Sequence, residues 1–132
     1  MTKLEITPQV KICGITRVQD ATRCAELGAD AIGCVFYSKS PRRLTKDQAR
    51  DICAATPDPV KTVGVFVNET FSSIMVYVEY CHLSAVQLHG KEPPELVRRL
   101  RRENIRVLKW IFERCANQGQ AKLTPQIGRA HV

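Results

Sequence analysis

No apolar run in this 132-residue chain approaches the roughly 18 residues that a membrane-spanning helix needs. The opening Met1-Thr2-Lys3-Leu4-Glu5 lacks the apolar core of a signal peptide. A cytoplasmic location is therefore expected, with no membrane partner. Six cysteines are present (Cys13, Cys24, Cys34, Cys53, Cys81 and Cys115), but no C-x-x-C pair occurs among them. That removes the usual zinc-ligand spacing, so no metal is expected. Each cysteine lies in an apolar or helical context, which favours free thiols packed as small hydrophobes over a disulfide framework.

What is plentiful is positive charge. The net charge is +7, and it is uneven. Arg98, Arg99, Arg101, Arg102, Arg106, Lys109 and Arg114 are opposed locally only by Glu103 and Glu113. A basic stripe can be a nucleic-acid footprint. Here the arginines surround an apolar stripe of Leu96, Val97 and Leu100, and no aromatic side chains interleave with them as a single-strand platform needs. A solvated helix face is the better reading, and no nucleic-acid partner is expected.

The chain alternates short apolar runs with amphipathic ones. Residues 10–15 read as a strand. Thr16 and Gln19 have capping-box spacing, which predicts a helix that stops at Gly28. Residues 31–37 form a second strand, apolar throughout and so covered on both faces. A polar loop follows, and Thr45 with Gln48 forms another capping box ahead of Ala49, Ile52 and Cys53. Pro57-Asp58-Pro59 breaks that helix, and residues 60–67 make a third strand. Phe71, Ile74, Met75 and Val78 have the i, i+3, i+4, i+7 spacing of a helix. Residues 85–88 form a fourth strand, Pro93-Pro94 opens a fourth helix, and residues 105–112 form a fifth strand. Asp20 and Asp47 open helices and read as capping-region charges.

Strands begin about every 20–30 residues, the interval of βα units, and continuous apolar strands between helices imply a parallel sheet. Two architectures fit: a flavodoxin-like doubly wound sheet, favoured by size, and the first part of an eight-fold barrel.

Five segments carry a resemblance. They are Val10-Lys11-Ile12-Cys13-Gly14-Ile15-Thr16, Gly28-Ala29-Asp30-Ala31-Ile32-Gly33, Val35-Phe36-Tyr37-Ser38-Lys39-Ser40-Pro41-Arg42, Val63-Gly64-Val65-Phe66-Val67-Asn68 and Val86-Gln87-Leu88-His89-Gly90. In this order and at these intervals, residues 10–111 resemble the phosphoribosylanthranilate isomerases of tryptophan biosynthesis. The resemblance implies a truncated (βα)8 TIM barrel of about five βα units. Residues 1–112 would be the N-terminal part of the barrel, and 113–132 an unmatched tail, irregular or helical. It implies an aldose–ketose isomerase that converts N-(5-phosphoribosyl)anthranilate, a phosphorylated small molecule, to 1-(2-carboxyphenylamino)-1-deoxyribulose 5-phosphate. No cofactor and no metal are implied.

Such an Amadori rearrangement needs an acid to open the furanose ring and a base to take the C2 proton. By resemblance Cys13 is the catalytic base. A free thiol has a pKa of about 8.5, so something must favour its thiolate. Lys11 lies two residues earlier on the strand, hence on the same face, and an ammonium there is suited to that task. The resemblance places Arg42 and His89 against the substrate. A guanidinium fork suits a carboxylate, and Arg43 is read as a solvated neighbour.

The family's general acid is an aspartate at the end of strand six. No aspartate follows Asp58 in this chain, and the phosphate loops after strands seven and eight have no counterpart. The competing expectation is thus a catalytically incomplete fragment without independent activity. Strands one and five are expected to be open edges, prone to self-association.

Overall fold

The structure is a computed structural model that describes residues 9–114 and 121–127, with side chains described for residues 9–109. Its elements run β1 (Lys11–Cys13), α1 (Val18–Glu26), β2 (Ala31–Val35), α2 (Lys46–Ala55), β3 (Lys61–Phe66), α3 (Phe71–Cys81), β4 (Ala85–Leu88), α4 (Pro94–Arg102), β5 (Arg106–Arg114) and β6 (Ala121–Ile127). The strands form one sheet in the order β1-β2-β3-β4-β5-β6. The first five are parallel and each pairs with the next in sequence.

That order decides between the two architectures. A doubly wound sheet reverses direction at a switch point, for instance in the order 2-1-3-4-5. Here the order never reverses, so right-handed crossovers put every helix on the same face. One further contact shows that the sheet curls. Lys11 Nζ on β1 donates to Gln87 Oε1 on β4. Three inter-strand steps in a flat sheet would separate these strands by about 14 Å, beyond easy reach of the two side chains. The five strands are an arc of a (βα)8 barrel, with helices outside and Lys11 and Gln87 within.

Local chemistry explains the elements. Thr45 caps α2 as expected: Gln48 N donates to Thr45 Oγ1 at 3.2 Å, and Thr45 N to Gln48 Oε1 at 2.9 Å. Gly28 ends α1 in a left-handed conformation (φ 92°), which a glycine adopts without a Cβ clash. Pro94 takes the first position of α4, where its missing N–H leaves nothing unpaired.

The Thr16–Gln19 box does not form. Gly14 N and Ile15 N both donate to Gly33 O, at 3.1 and 3.2 Å, and so tie the chain to β2 beyond the strand end. The helix then starts one residue later than the box requires, with Arg17 as N-cap and its side chain paired to Asp20 at 3.1 Å.

The core lies between the sheet's outer face and the helices. Ile32, Cys34, Phe66, Val86, Leu88 and Val107 meet Ala21, Ala49, Ile52, Ile74, Leu96 and Leu100. Phe36, Phe66 and Tyr77 cluster with ring centroids 4.4–5.6 Å apart. Gly64 makes this possible, because a Cβ there would lie 2.6 Å from Leu83 Cδ1 and 2.9 Å from Phe66 Cε2. The arginine-rich helix α4 buries Leu96 and Leu100 and exposes its basic face, where Arg98 pairs with Glu95 at 3.0 Å. No helix among the described residues is long and apolar enough to cross a membrane.

Two expectations need correction at the C-terminal side. The stretch expected to be irregular or helical contains β6, and β5 is not an open edge, since β6 pairs with it antiparallel from Leu108↔Ile127 to Arg114↔Ala121. Apolar Ala121, Leu123, Pro125 and Ile127 alternate with polar Lys122, Thr124 and Gln126, which is strand periodicity. Pro125 obscures it, yet proline is tolerated where no further strand needs its N–H.

Candidate active site

Cys13 is the last residue of β1, and Gly14 turns the chain away with φ 81°. The thiol is exposed, and two glycines make room around it. Gly33 is its register partner on β2, where an added Cβ would lie 3.0 Å from Cys13 Sγ. Gly14 accommodates Arg42: a Cβ there would lie 2.7 Å from Arg42 Cδ. Arg42 Nη1 donates to Gly14 O at 3.5 Å, so the loop after β2 brings its guanidinium to the end of β1. Arg43 behaves otherwise. Its Nη1 closes its own loop on Ser38 O at 3.2 Å.

Lys11 is half-buried and tethered to Gln87. Burial lowers its pKa below the usual lysine value, and the nearby charge of Cys13 acts in the opposite sense. His89 follows β4 at the same C-terminal rim, three strands from Cys13, and its backbone N donates to Phe66 O at 2.9 Å.

The other described thiols are of a different kind. Cys34 and Cys81 are buried, Cys24 and Cys53 half-buried, and all four are free. Burial pushes Cys81 up to about 11. A hydrogen bond to Cys53 and burial push Cys34 up as well. Cys115 lies outside the described residues. Among those residues no three His, Cys, Asp or Glu side chains converge as a metal site would require.

Several groups at the rim escape a sequence reading. Glu92 is buried beneath the turn after β4. Its carboxylate accepts from Lys109 Nζ at 2.6 Å, from Asn68 N at 2.9 Å and from Gly90 N at 2.9 Å. Burial alone would raise its pKa, but these bonds outweigh burial and hold the carboxyl below its ordinary value. Lys109 Nζ also donates to Gly90 O at 2.7 Å, and Lys91 N donates to Asn68 Oδ1 at 2.8 Å. Gln87 and Lys109 do leave a trace in the sequence, as polar residues inside otherwise apolar strands.

A cavity of about 410 Å³ opens on the concave face, lined by Lys11, Ala31, Lys61, Val63, Gln87 and Leu108 among others. It reaches toward the strand beginnings and does not include Cys13, Arg42 or His89. Cys13, Arg42 and His89 stand at the opposite rim, the C-terminal ends of the strands, where barrel enzymes carry their chemistry.

Comparison with known proteins agrees with this geometry. A family profile described as N-(5'-phosphoribosyl)anthranilate (PRA) isomerase matches residues 10–127. The N-(5'-phosphoribosyl)anthranilate isomerase of Desulfatibacillum aliphaticivorans is 49% identical over 104 residues, covering 79% of this chain and 48% of that protein. A solved phosphoribosyl anthranilate isomerase in complex with reduced 1-(o-carboxyphenylamino)-1-deoxyribulose 5-phosphate superposes with a TM-score of 0.75 at 50% identity. That match covers 78% of this chain and 53% of the other. The enzyme of Thermus thermophilus gives a TM-score of 0.73 at 39% identity, over 77% of this chain and 50% of the other. The chain thus spans about half the length of the curated relatives it matches. With sequential parallel strands, a thiol at the end of the first and matches of this extent, the chain belongs to the N-(5'-phosphoribosyl)anthranilate isomerase family.

Proposed function

We propose that this chain supplies the base and the carboxylate grip of an isomerase site acting on N-(5-phosphoribosyl)anthranilate in tryptophan biosynthesis. The observation that carries the reading is that Arg42 packs on Gly14, the residue that follows Cys13, at the C-terminal rim of the arc. In the rearrangement an acid protonates the furanose oxygen, the ring opens to a Schiff base, and a base takes the C2 proton. The resulting enolamine tautomerises to the C2 ketone. Cys13 as thiolate takes the C2 proton, with the Lys11 ammonium offsetting its charge from the same face. Arg42 pairs with the anthranilate carboxylate, which suits a planar fork, and His89 contacts the substrate from β4. The chemistry calls for no redox step.

The acid is the missing function. No aspartate follows Asp58, so the family's acid, an aspartate at the end of strand six, has no counterpart in these 132 residues. On this reading the 132 residues alone bind and position but do not turn over. A cytoplasmic setting suits the free thiols. The β1 edge, with Val10, Ile12 and Val18 exposed beside it, favours self-association of the isolated chain, which sedimentation reads directly.

Rescue of a tryptophan auxotroph tests the reading. A full-length relative carrying this segment in place of its own first half should restore growth, and the same hybrid with Cys13→Ser should not. Growth restored equally by the Cys13→Ser hybrid would contradict the role of the thiol.

A further inference from the structure

We propose that Glu92 is a positioning residue: with Asn68 and Lys109 it clasps the His89–Lys91 segment and so sets where the His89 ring stands at the mouth of the site. The proposal rests on the isomerase reading for its ligand, but its geometry stands alone. The Glu92 side chain is 1% exposed and that of Lys109 19% exposed. A carboxylate so buried is unfavourable unless its lone pairs are filled. Here they are filled by Lys109 Nζ at 2.6 Å, Asn68 N at 2.9 Å and Gly90 N at 2.9 and 3.2 Å.

The partners come from three places in the chain and meet at one short turn. Gly90 is held at both backbone groups, its N–H by Glu92 and its carbonyl by Lys109 Nζ at 2.7 Å. Lys91 N is held by Asn68 Oδ1 at 2.8 Å, and His89 N by Phe66 O at 2.9 Å. Three consecutive residues thus have their backbone N–H groups fixed outside any helix. The fit is tight, since a Cβ on Gly90 would lie 2.6 Å from Asn68 Oδ1. Asn68 itself adopts φ 53°, which asparagine tolerates better than most residues. Apolar packing would join the ends of β3 and β4 to β5 without desolvating a carboxylate and an ammonium. What the polar clasp adds is direction: each bond fixes a backbone vector next to His89. A displacement of about 1 Å at a binding group is enough to weaken a productive pose severely.

The test uses the full 132-residue chain, with nitrogen-resolved NMR spectra of wild type, Glu92→Gln and Asn68→Gly, and free anthranilate as the probe. Glu92→Gln keeps an acceptor oxygen and loses the charge. Asn68→Gly keeps the left-handed backbone and removes only the Oδ1 tether. Both variants are expected to shift the His89 ring signals and the Lys91 N–H while α1 and α2 signals stay in place. Anthranilate affinity is expected to fall about tenfold. His89 ring signals unmoved in a folded variant overturn the proposal, and if Glu92→Gln does not fold, Asn68→Gly alone decides. A wild-type chain whose His89 and Arg42 signals ignore anthranilate contradicts the carboxylate grip instead, and the clasp then stands or falls on the His89 shifts.

Discussion

β1 and β4 both end at the rim, and they are supported very differently. β4 pairs on both sides, with β3 and β5, and all four of its residues are buried. Its end is held by the Glu92 carboxylate and the Lys109 ammonium. β1 is three residues long and pairs only with β2 among the described residues. Ile12, on its outer face, remains 38% exposed. The β4 end, which leads into His89, is therefore supported from both sides. Cys13 stands on a strand with one neighbour among the described residues, and in a closed barrel strand one would gain another. The catalytic thiol of this reading sits where local support is weakest.

The largest effect should come from breaking the clasp on the β4 side. Lys109→Met leaves the Glu92 carboxylate buried without its counterion, which costs about 3–5 kcal/mol by analogy with broken buried pairs. Ile12→Thr, its counterpart on β1, should change stability by less than about 0.5 kcal/mol because the side chain is already partly in water. Urea unfolding of the two variants measures both, and equal losses would erase the contrast.

Acid should expose the same asymmetry. The folded Glu92 carboxyl lies below its unfolded value of 4.5. Its contribution is therefore complete above that pH and lost as pH falls through the lowered folded value. Stability of the wild type should drop below pH 4.5 more steeply than that of Glu92→Gln. Parallel curves for the two chains would remove Glu92 from the account.

Packing behind the two strands gives a smaller effect. Gly64→Ala forces a methyl to 2.6 Å from Leu83 Cδ1 and 2.9 Å from the Phe66 ring. Overpacking of this kind costs about 1–3 kcal/mol, seen as a lowered melting temperature. The smallest pair concerns helix starts. Thr45→Ala removes a formed capping box and should cost about 1 kcal/mol, whereas Thr16→Ala should change almost nothing. A matching loss at Thr16 would mean that its box forms in solution.

These cases also show how much the sequence discloses. Periodicity and punctuation place every parallel strand and every helix, because each depends on neighbours within a turn or two. Thr45 and Gln48 are legible for that reason. Thr16 and Gln19 have the same spacing and fail, because Gly33, on another strand, holds Gly14 and Ile15 first. Strand β6 is obscured by Pro125 within an otherwise alternating run. Cys13, Lys11, Arg42 and His89 are singled out by the motifs around them, and Arg42 reaches Gly14 beside Cys13 only because the loop after β2 folds back. Composition and spacing leave two architectures open, and only the unreversed strand order excludes the doubly wound one. The Lys11–Gln87 bond depends on sheet curvature, and the Glu92–Lys109 pair on a crossover, so neither has a local signature.

The central claim is that this chain holds the base and the recognition groups but not the acid. Turnover of freshly made N-(5-phosphoribosyl)anthranilate, followed by the loss of its fluorescence, tests it most directly. The 132-residue chain alone should leave the substrate decaying at its spontaneous rate, while a full-length relative carrying this segment should consume it. Catalysis by the isolated chain, abolished by Cys13→Ser, would contradict the account by showing that a complete acid–base pair is already present.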